Sequence, residues 1–373
     1  MTGAMALPPC LLEGRPPDEI LVIVPRRIGD VLLATPLIRS LKHAWPRTAV
    51  DALVFDGTQG ILAGNPDLRR VLTISDRPSL ARHFALLIGL YRRYELALSL
   101  VPGDRPTLYA FFAGRWRAGL LLDTRKERWK RRFLHHWEPF DDLNTHTVRM
   151  HLALARALAV PPRYEVAAHW CDEDALQVDR ALGGSPSRSL AVLHPYPKFN
   201  YKMWHREGWL EVARWLVDRG YGVVMTGSDE AAELAYVSGL MRDMPAGTVN
   251  VAGRLSLGAV VCLMSRARIY IGPDTAVTHI AAARGVPTVA LFGPTNAVKW
   301  GPWPRTHSGD TNPWRRCGSQ RNGNVALVQG AIACVPCMLE GCERHSASFS
   351  DCLLELPARK VISALRDLLD RAA

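Results

Sequence analysis

Residues 269–295 read IYIGPDTAVTHIAAARGVPTVALFGPT and contain a complete strand–helix–strand unit. The runs 269–272 and 286–292 are short, apolar and rich in β-branched residues, which is typical of strands buried on both faces of a sheet. Residues 275–284 between them have helical spacing and end at Gly285, a residue that commonly terminates helices. Because parallel strands need a crossover of about this length, the stretch predicts a βαβ unit.

The same rhythm extends outward along the chain. Further strands are predicted at 20–24, 49–54, 70–74 and 96–101 in the first half, and at 190–194 and 222–226 in the second. Helices are predicted at 80–93, 146–158, 206–218 and 257–266. This pattern indicates an α/β protein with two doubly wound parallel sheets and a cleft between them. A chain of 373 residues fits two domains, which we place at 1–180 and 181–373, divided near the segment Gly184-Ser185-Pro186-Ser187.

The charge of the chain favours an anionic partner. Lys and Arg number 46 against 35 Asp and Glu, a formal net charge of +11. Nucleic acid, anionic lipid and a phosphorylated glycan all fit this balance. Eight basic residues lie within 115–132, with Trp116 and Trp129 between them, and this segment is either a solvated helix or loop face or a patch for an acceptor or membrane.

Several sequence signals are missing. The chain has no Gly-x-Gly-x-x-Gly after a strand and no Gly-x4-Gly-Lys-Ser/Thr loop, which argues against an NAD dehydrogenase and a P-loop NTPase. No apolar run approaches the ~20 residues that span a bilayer, and the first twenty residues do not resemble a signal peptide. We therefore expect a cytoplasmic protein.

Polar loops follow the predicted strands, where ligands bind in open parallel sheets. Asp30 follows the first strand and is either a helix cap or a catalytic base. The loop after 190–194 carries Lys198 and Lys202 beside a helix start, which suits anionic oxygens. Residues 227–230 offer carboxylates to ribose hydroxyls, or form an acidic helix N-terminus.

The opening stretch provides the most suggestive of these loops. Asp274 and Thr275 precede a helix N-terminus with hydroxyl and backbone donors suited to a diphosphate, although Asp274 alone would also serve as the cap. His279 lies four residues further on and is either a ligand contact or a structural group.

Taken together, these motifs resemble the heptosyltransferase family, glycosyltransferase family 9. The resemblance covers most of residues 20–365. It rests on residues 23–46 with Thr35-Pro36, then His194-Pro195, Lys202-Met203-Trp204, 226–230, 253–257, Asp274-Thr275 with His279, and 291–295, in the order and spacing of the family.

The resemblance implies a GT-B fold, an acceptor site in the N-terminal domain, a donor site in the C-terminal domain, and inversion without an obligatory metal. Carried over, Asp30 is the general base, Lys202 binds donor phosphate and Glu230 binds the ribose. Asp274, Thr275 and His279 are expected to bind the diphosphate. Thr226 and Ala276 belong to the same family motifs and are also expected in the donor site. Members usually have Gly where this chain has Ala276. Alanine would be strained there if the position needs positive φ and harmless if it is helical.

The C-terminal cysteines form a separate pattern. Their C-x2-C-x4-C-x9-C spacing is compatible with a structural zinc, although similar Cys-x-Pro-Cys elements occur in relatives that need no metal. The four residues are Cys334, Cys337, Cys342 and Cys352.

The resemblance implies a glycosyltransferase that moves a heptose or related sugar from a nucleotide diphosphate, most of all ADP-heptose, to a lipopolysaccharide inner-core acceptor. Its expected partners are the nucleotide sugar, the phosphorylated acceptor and an anionic membrane surface, and not nucleic acid. It is expected to be peripheral at the inner face of the inner membrane. The alternatives are another GT-B enzyme, such as a nucleotide-sugar epimerase, and a non-catalytic glycan-binding protein.

Overall fold

The computed structural model describes residues 8–184 and 188–370, so residues 185–187 of the predicted linker lie outside the described residues. The chain divides into two compact units, one containing Met1–Ala167 with Ser308–Thr311 and the other containing Ala168–His307 with Asn312–Ala373. Within the described ranges, no helix is long and apolar enough to cross a membrane.

The units divide before residue 180 because of helix α7 (Asp172–Leu182). Its Asp174 accepts a hydrogen bond from Ser256 at 2.7 Å, and its Gln177 donates to the Arg254 carbonyl at 3.1 Å. These bonds attach α7 to the second unit, ahead of the Gly-Ser-Pro segment at which the sequence suggested a boundary.

The first unit is built on a six-stranded parallel sheet of order β3-β2-β1-β4-β5-β6. Its strands are β1 (Glu19–Ile23), β2 (Ala49–Phe55), β3 (Arg70–Ile74), β4 (Tyr94–Ser99), β5 (Gly114–Leu121) and β6 (His136–Pro139). Its helices are α1 (Pro9–Leu12), α2 (Ile28–Leu32), α3 (Thr35–Ala44), α4 (Leu80–Leu90), α5 (Asp104–Ala113) and α6 (Thr147–Ala157). The 3₁₀ segments are Gln59–Leu62 and Arg125–Phe133.

The strand order indicates the edge of this sheet at which a ligand is expected to bind. The chain leaves β1 toward β2 and β3, then returns through α4 to β4 and continues the other way to β5 and β6. With right-handed crossovers this reversal places α4, α5 and Arg125–Phe133 on one face of the sheet, and it makes the carboxyl ends of β1 and β4 the switch point. Asp30 lies in the helix that follows β1.

The second unit has a seven-stranded sheet of order β12-β13-β11-β10-β7-β8-β9, parallel except for β12. Its strands are β7 (Leu190–Leu193), β8 (Gly222–Met225), β9 (Val249–Asn250), β10 (Ala267–Pro273), β11 (Thr288–Phe292), β12 (Gln320–Asn322) and β13 (Val325–Gln329). Besides α7 its helices are α8 (Arg206–Val217), α9 (Ala231–Met241), α10 (Leu257–Arg266), α11 (Ala276–Arg284), α12 (Ala297–Trp300), α13 (Asp351–Leu354) and α14 (Ala358–Leu369), with a 3₁₀ turn at Asn200–Lys202. The switch point here lies between β7 and β10.

The basic segment 115–132 is not a uniform solvated face. Its first part is the buried strand β5, in which Trp116 and Arg117 are covered. The Arg117 guanidinium lies 5.2 Å from the Phe111 ring centroid and donates to the Gly114 carbonyl, and burial lowers its pKa. Lys130 is also buried, bonded to Asp104 at 2.7 Å and to Glu127. Only part of the segment therefore remains for a partner.

Candidate active site

An ion pair connects the two loops at the switch point of the second unit. Lys202, in the 3₁₀ turn after β7, lies with its Nζ 2.6 Å from Oδ2 of Asp274, which follows β10. Asp274 is buried, which by itself would raise its pKa, but the Lys202 ammonium together with the neighbouring His279 and Thr295 holds the pKa below its usual range. The pair brings together two residues that the sequence placed in the donor site.

Trp204 explains why Lys202 is held in place. Its side chain is buried in the core of the second unit, and its Nε1 donates to the Leu356 carbonyl at 2.7 Å. Gly208 leaves room for this ring, since a Cβ there would lie 2.3 Å from it. The Lys-x-Trp element therefore anchors one end in the core and presents the lysine at the sheet edge.

Helix α11 begins at Ala276, two residues after Asp274. Thr275 is the N-cap residue, and its side chain does not bond the first-turn N–H groups. Uncapped N–H groups at the positive end of a helix are well suited to an anion. Ala276 is the first helical residue and does not have positive φ, so alanine at this position is harmless.

A buried hydroxyl network supports this helix start. The Tyr270 hydroxyl lies 2.9 Å from the Thr278 hydroxyl, which donates to the Pro273 carbonyl and lies 3.3 Å from the Thr275 hydroxyl. Gly272 makes the network possible, because a Cβ on it would come within 2.0 Å of the Tyr270 oxygen. These buried hydrogen bonds therefore hold the turn that presents Asp274 and Thr275 in place.

Two buried histidines lie at this edge in the uncharged form. Burial lowers the pKa of His279 to about 4, and its Nδ1 has no hydrogen-bond partner within the described structure. Burial also lowers the pKa of His194 to about 4, while its Nδ1 lies 3.1 Å from the Thr226 hydroxyl. An unsatisfied buried nitrogen is costly, so His279 is the better candidate for a ligand contact.

Thr226 has a supporting position. Its hydroxyl donates to the Leu193 carbonyl at 3.1 Å and must therefore accept from His194 Nδ1. Both bonds are internal to the unit, so Thr226 orients His194.

Two glutamates at and after the loop that follows β8 differ in burial. Glu230 is exposed and caps α9 through its backbone position only. Glu233, one turn later, is buried, accepts a bond from the Ser228 hydroxyl with Oε2, and leaves Oε1 without a partner in the described structure. Burial, with the charges of Glu230 and Asp229, raises the pKa of Glu233. The only sequence signal for it was its spacing, one helical turn past the loop.

In the first unit, Asp30 is half-buried in the first turn of α2, and the N-cap position belongs to Arg27. The interpretation of Asp30 as the cap is therefore wrong. The positive end of α2 favours a negative side chain at this place, at the switch point of the sheet.

The four C-terminal cysteines are free thiols. Burial, together with the other three thiols, raises the pKa of Cys352 to about 12. Across residues 8–184 and 188–370, no three His, Cys, Asp or Glu side chains are grouped closely enough to hold a metal ion. A structural zinc therefore stays a prediction, tested by the zinc content per chain of protein purified without chelators.

Two Rossmann-like sheets, each with polar loops at its switch point, define a protein of the GT-B class. The solved structure of the ADP-heptose lipopolysaccharide heptosyltransferase II of E. coli has the same fold, with a TM-score of 0.72 and 20% identity, covering 95% of this chain and 100% of that one.

Residues 107–321, more than half of the chain, match the model of glycosyltransferase family 9 (heptosyltransferase). The chain belongs to this family and is a glycosyltransferase. Lipopolysaccharide heptosyltransferase 3 of Escherichia coli K12 is 29% identical over 297 residues, 74% of this chain and 82% of that protein. Lipopolysaccharide heptosyltransferase 2 of the same organism is 27% identical over 309 residues, 74% and 83% of the two chains.

Proposed function

We propose that this enzyme transfers a heptose from ADP-heptose to a hydroxyl of a lipopolysaccharide inner-core acceptor, with inversion at the anomeric carbon. The observation that carries the proposal is the Lys202–Asp274 pair beside the uncapped start of α11. A fixed ammonium and a helix start that its N-cap side chain leaves uncapped provide a site for the diphosphate of a sugar donor. The similarity to lipopolysaccharide heptosyltransferases supports heptose as the sugar and the core as the acceptor.

In the donor half of the reaction, the bond between the anomeric carbon and the diphosphate oxygen breaks, and ADP gains negative charge. Lys202 and the α11 N–H groups stabilise that charge, because they are already oriented before the reaction begins. Asp274 holds Lys202 and does not itself contact phosphate, since two anions would repel. His279 Nδ1, which has no partner in the described structure, donates to a diphosphate oxygen in the neutral tautomer that carries its proton on Nδ1.

In the acceptor half, Asp30 removes the proton of the attacking hydroxyl while the new carbon–oxygen bond forms on the face opposite the leaving ADP. Attack from that face gives inversion. The proton passes to Asp30, and the charge leaves with ADP, so the step balances with no metal ion. The net charge of +11 attracts the phosphorylated acceptor at the inner face of the inner membrane.

The proposal is tested with the purified chain, ADP-heptose and deacylated core oligosaccharides that lack successive heptoses. We expect ADP release only when an acceptor is present, with one heptose added to it by mass spectrometry. Epimerisation of the donor without acceptor, or binding of glycan without turnover, would contradict it. Which truncated core is extended identifies the acceptor position.

The absence of a metal from the proposed step gives a simple expectation. Dialysis against EDTA should leave kcat unchanged, because Lys202 and the helix start supply the positive charge that a divalent cation provides in metal-dependent transferases. A large loss of kcat that added Mg²⁺ or Mn²⁺ restores would show that a metal takes part.

Glu233 is proposed as the ribose ligand in place of Glu230. Because the free Oε1 of Glu233 can accept from a ribose hydroxyl, Glu233→Gln should weaken ADP binding about tenfold, as one charge-assisted hydrogen bond is worth ~1.5 kcal/mol or more. Calorimetry with ADP and 2′,3′-dideoxy-ADP checks this, since the variant should lose its preference for ADP. Glu230→Gln is the matched control and should behave as wild type, whereas the opposite pattern would return the role to Glu230.

A further inference from the structure

Helix α4 turns an apolar face to solvent. Leu80, Phe84 and Ile88 lie one turn apart and are 77%, 61% and 76% exposed. Ala81 and Ala85 beside them are exposed as well. A surface helix normally presents polar residues on this side, so the stripe calls for an explanation.

The stripe is not a core face turned outward. Leu90 is buried in the core of the first unit, and Leu86 and Leu87 pack against that core from the opposite side of the helix. Helix α4 is therefore apolar on both sides, with one side already used for folding.

A row of aromatic rings extends from the end of α4 toward the basic segment. The Arg92 amide, just past α4, donates to the Phe112 carbonyl at 2.8 Å. The Phe111 ring lies 5.5 Å from Phe112 and 5.1 Å from Phe133, and Phe133 lies 5.5 Å from Trp129. Trp129 is 43% exposed, so the row ends in a second exposed apolar group.

Positive charge surrounds this row. The 3₁₀ segment Arg125–Phe133 exposes four basic side chains, none of which forms an ion pair with a carboxylate in the described part of the chain. They are Arg125, Lys126, Arg128 and Arg132. The side chains that are neutralised, Lys130 and Arg131, point to Asp104, Glu127 and Asp123 instead.

We propose that this docking surface, formed by Leu80, Phe84, Ile88, Trp129 and the four exposed basic residues, binds an anionic lipid bilayer. Aliphatic side chains and a tryptophan enter the headgroup boundary, and the basic side chains meet lipid phosphates. A second copy of the chain fits less well, because a symmetric contact would bring two basic clusters together. Nucleic acid does not explain an exposed leucine and isoleucine.

The position of the docking surface fits the proposed function. The role of membrane docking rests on that function, because the proposed acceptor is linked to lipid. The segment Arg125–Phe133 follows β5, and α4 follows β3, so both start at the carboxyl edge of the sheet at which Asp30 follows β1. Leu80 and Arg125, at the starts of these two segments, are the parts of the surface at that edge, and docking through them would bring the edge that carries the base toward a lipid-linked acceptor.

The test is vesicle sedimentation of the full chain without donor or acceptor. We expect binding to vesicles of phosphatidylcholine and phosphatidylglycerol in equal parts, weak binding to phosphatidylcholine alone, and release as salt rises from about 0.1 M to about 1 M.

The triple variant Leu80→Gln, Phe84→Gln, Ile88→Gln should bind at least about tenfold more weakly. Arg125→Ala with Arg128→Ala should also lose about tenfold or more. Leu176→Gln, an exposed leucine of the second unit, and Arg242→Ala with Arg359→Ala are the matched controls and should bind as wild type.

The same variants separate the docking surface from the transferase activity. All of them should keep wild-type kcat on deacylated core oligosaccharide, and only the docking variants should lose turnover of acceptor embedded in anionic vesicles. Equal vesicle binding by the triple variant and wild type would overturn the proposal. So would a wild-type dimer in sedimentation equilibrium that the triple variant dissociates, or tighter binding to single-stranded DNA than to anionic vesicles. Absence of transfer to any acceptor, with vesicle binding intact, would instead count against the proposed function.

Discussion

Asp30→Asn is expected to lower kcat by at least two orders of magnitude while ADP affinity stays near wild type. A general base contributes ~10² to 10⁴ in rate, and an amide cannot accept the proton. The melting temperature should change little, because Arg27 holds the N-cap position and a first-turn charge is worth only ~0.3 to 1 kcal/mol. Steady-state kinetics on deacylated core oligosaccharide, with thermal melting of the same samples, provide the measurement.

Asp56→Asn is the matched control for this variant. Asp56 follows β2 at the same edge of the same sheet and is paired with Arg82 at 3.1 Å. Its replacement should leave kcat unchanged. Near-normal turnover by Asp30→Asn, or an equal loss in both variants, would remove Asp30 from the role of base.

The buried parallel strands could be predicted from the sequence because each is covered on both faces. Each of the runs that became β1, β7, β10 and β11 contains four or five consecutive buried residues, most of them apolar. Loops directly after such strands gather at one edge, so Asp274 and Lys202 could be assigned to one site before their 2.6 Å contact was known.

Other features depended on tertiary contacts that local patterns do not encode. The strand β5 could not be predicted because it contains arginines, which are unusual in a buried strand. The burial of Arg117 depends on its contact with Phe111 of the neighbouring helix. Glu233 looked like an ordinary helix residue, and only the approach of Ser228 and Gly227 shows it as a buried carboxylate. The exposure of α4 could not be predicted either, since an apolar helix is ordinarily assigned to the core.

Lys202→Ala is expected to weaken ADP binding about ten- to hundredfold, because a hydrogen bond to a charged group is worth ~1.5 to 3 kcal/mol. It should also lower the melting temperature, since it leaves the buried Asp274 carboxylate without its cation, and breaking a buried pair costs ~3 to 5 kcal/mol. Calorimetry with ADP on the full chain, at a temperature where the variant is folded, measures the first effect. Lys198→Ala, an exposed lysine of the same loop, is the control and should change neither quantity.

A second pair of variants separates the support of the fold from the binding of phosphate. Asp274→Asn keeps Lys202 for the ligand and should bind ADP within a few-fold of wild type, since the ammonium and not the carboxylate meets the phosphates. The double variant Lys202→Met, Asp274→Asn removes both charges together and should recover most of the stability lost in Lys202→Ala, yet bind ADP as weakly as that variant does. If the double variant bound ADP like wild type, Lys202 would be a structural partner of Asp274 only, and the diphosphate would have to rest on the α11 N–H groups and His279.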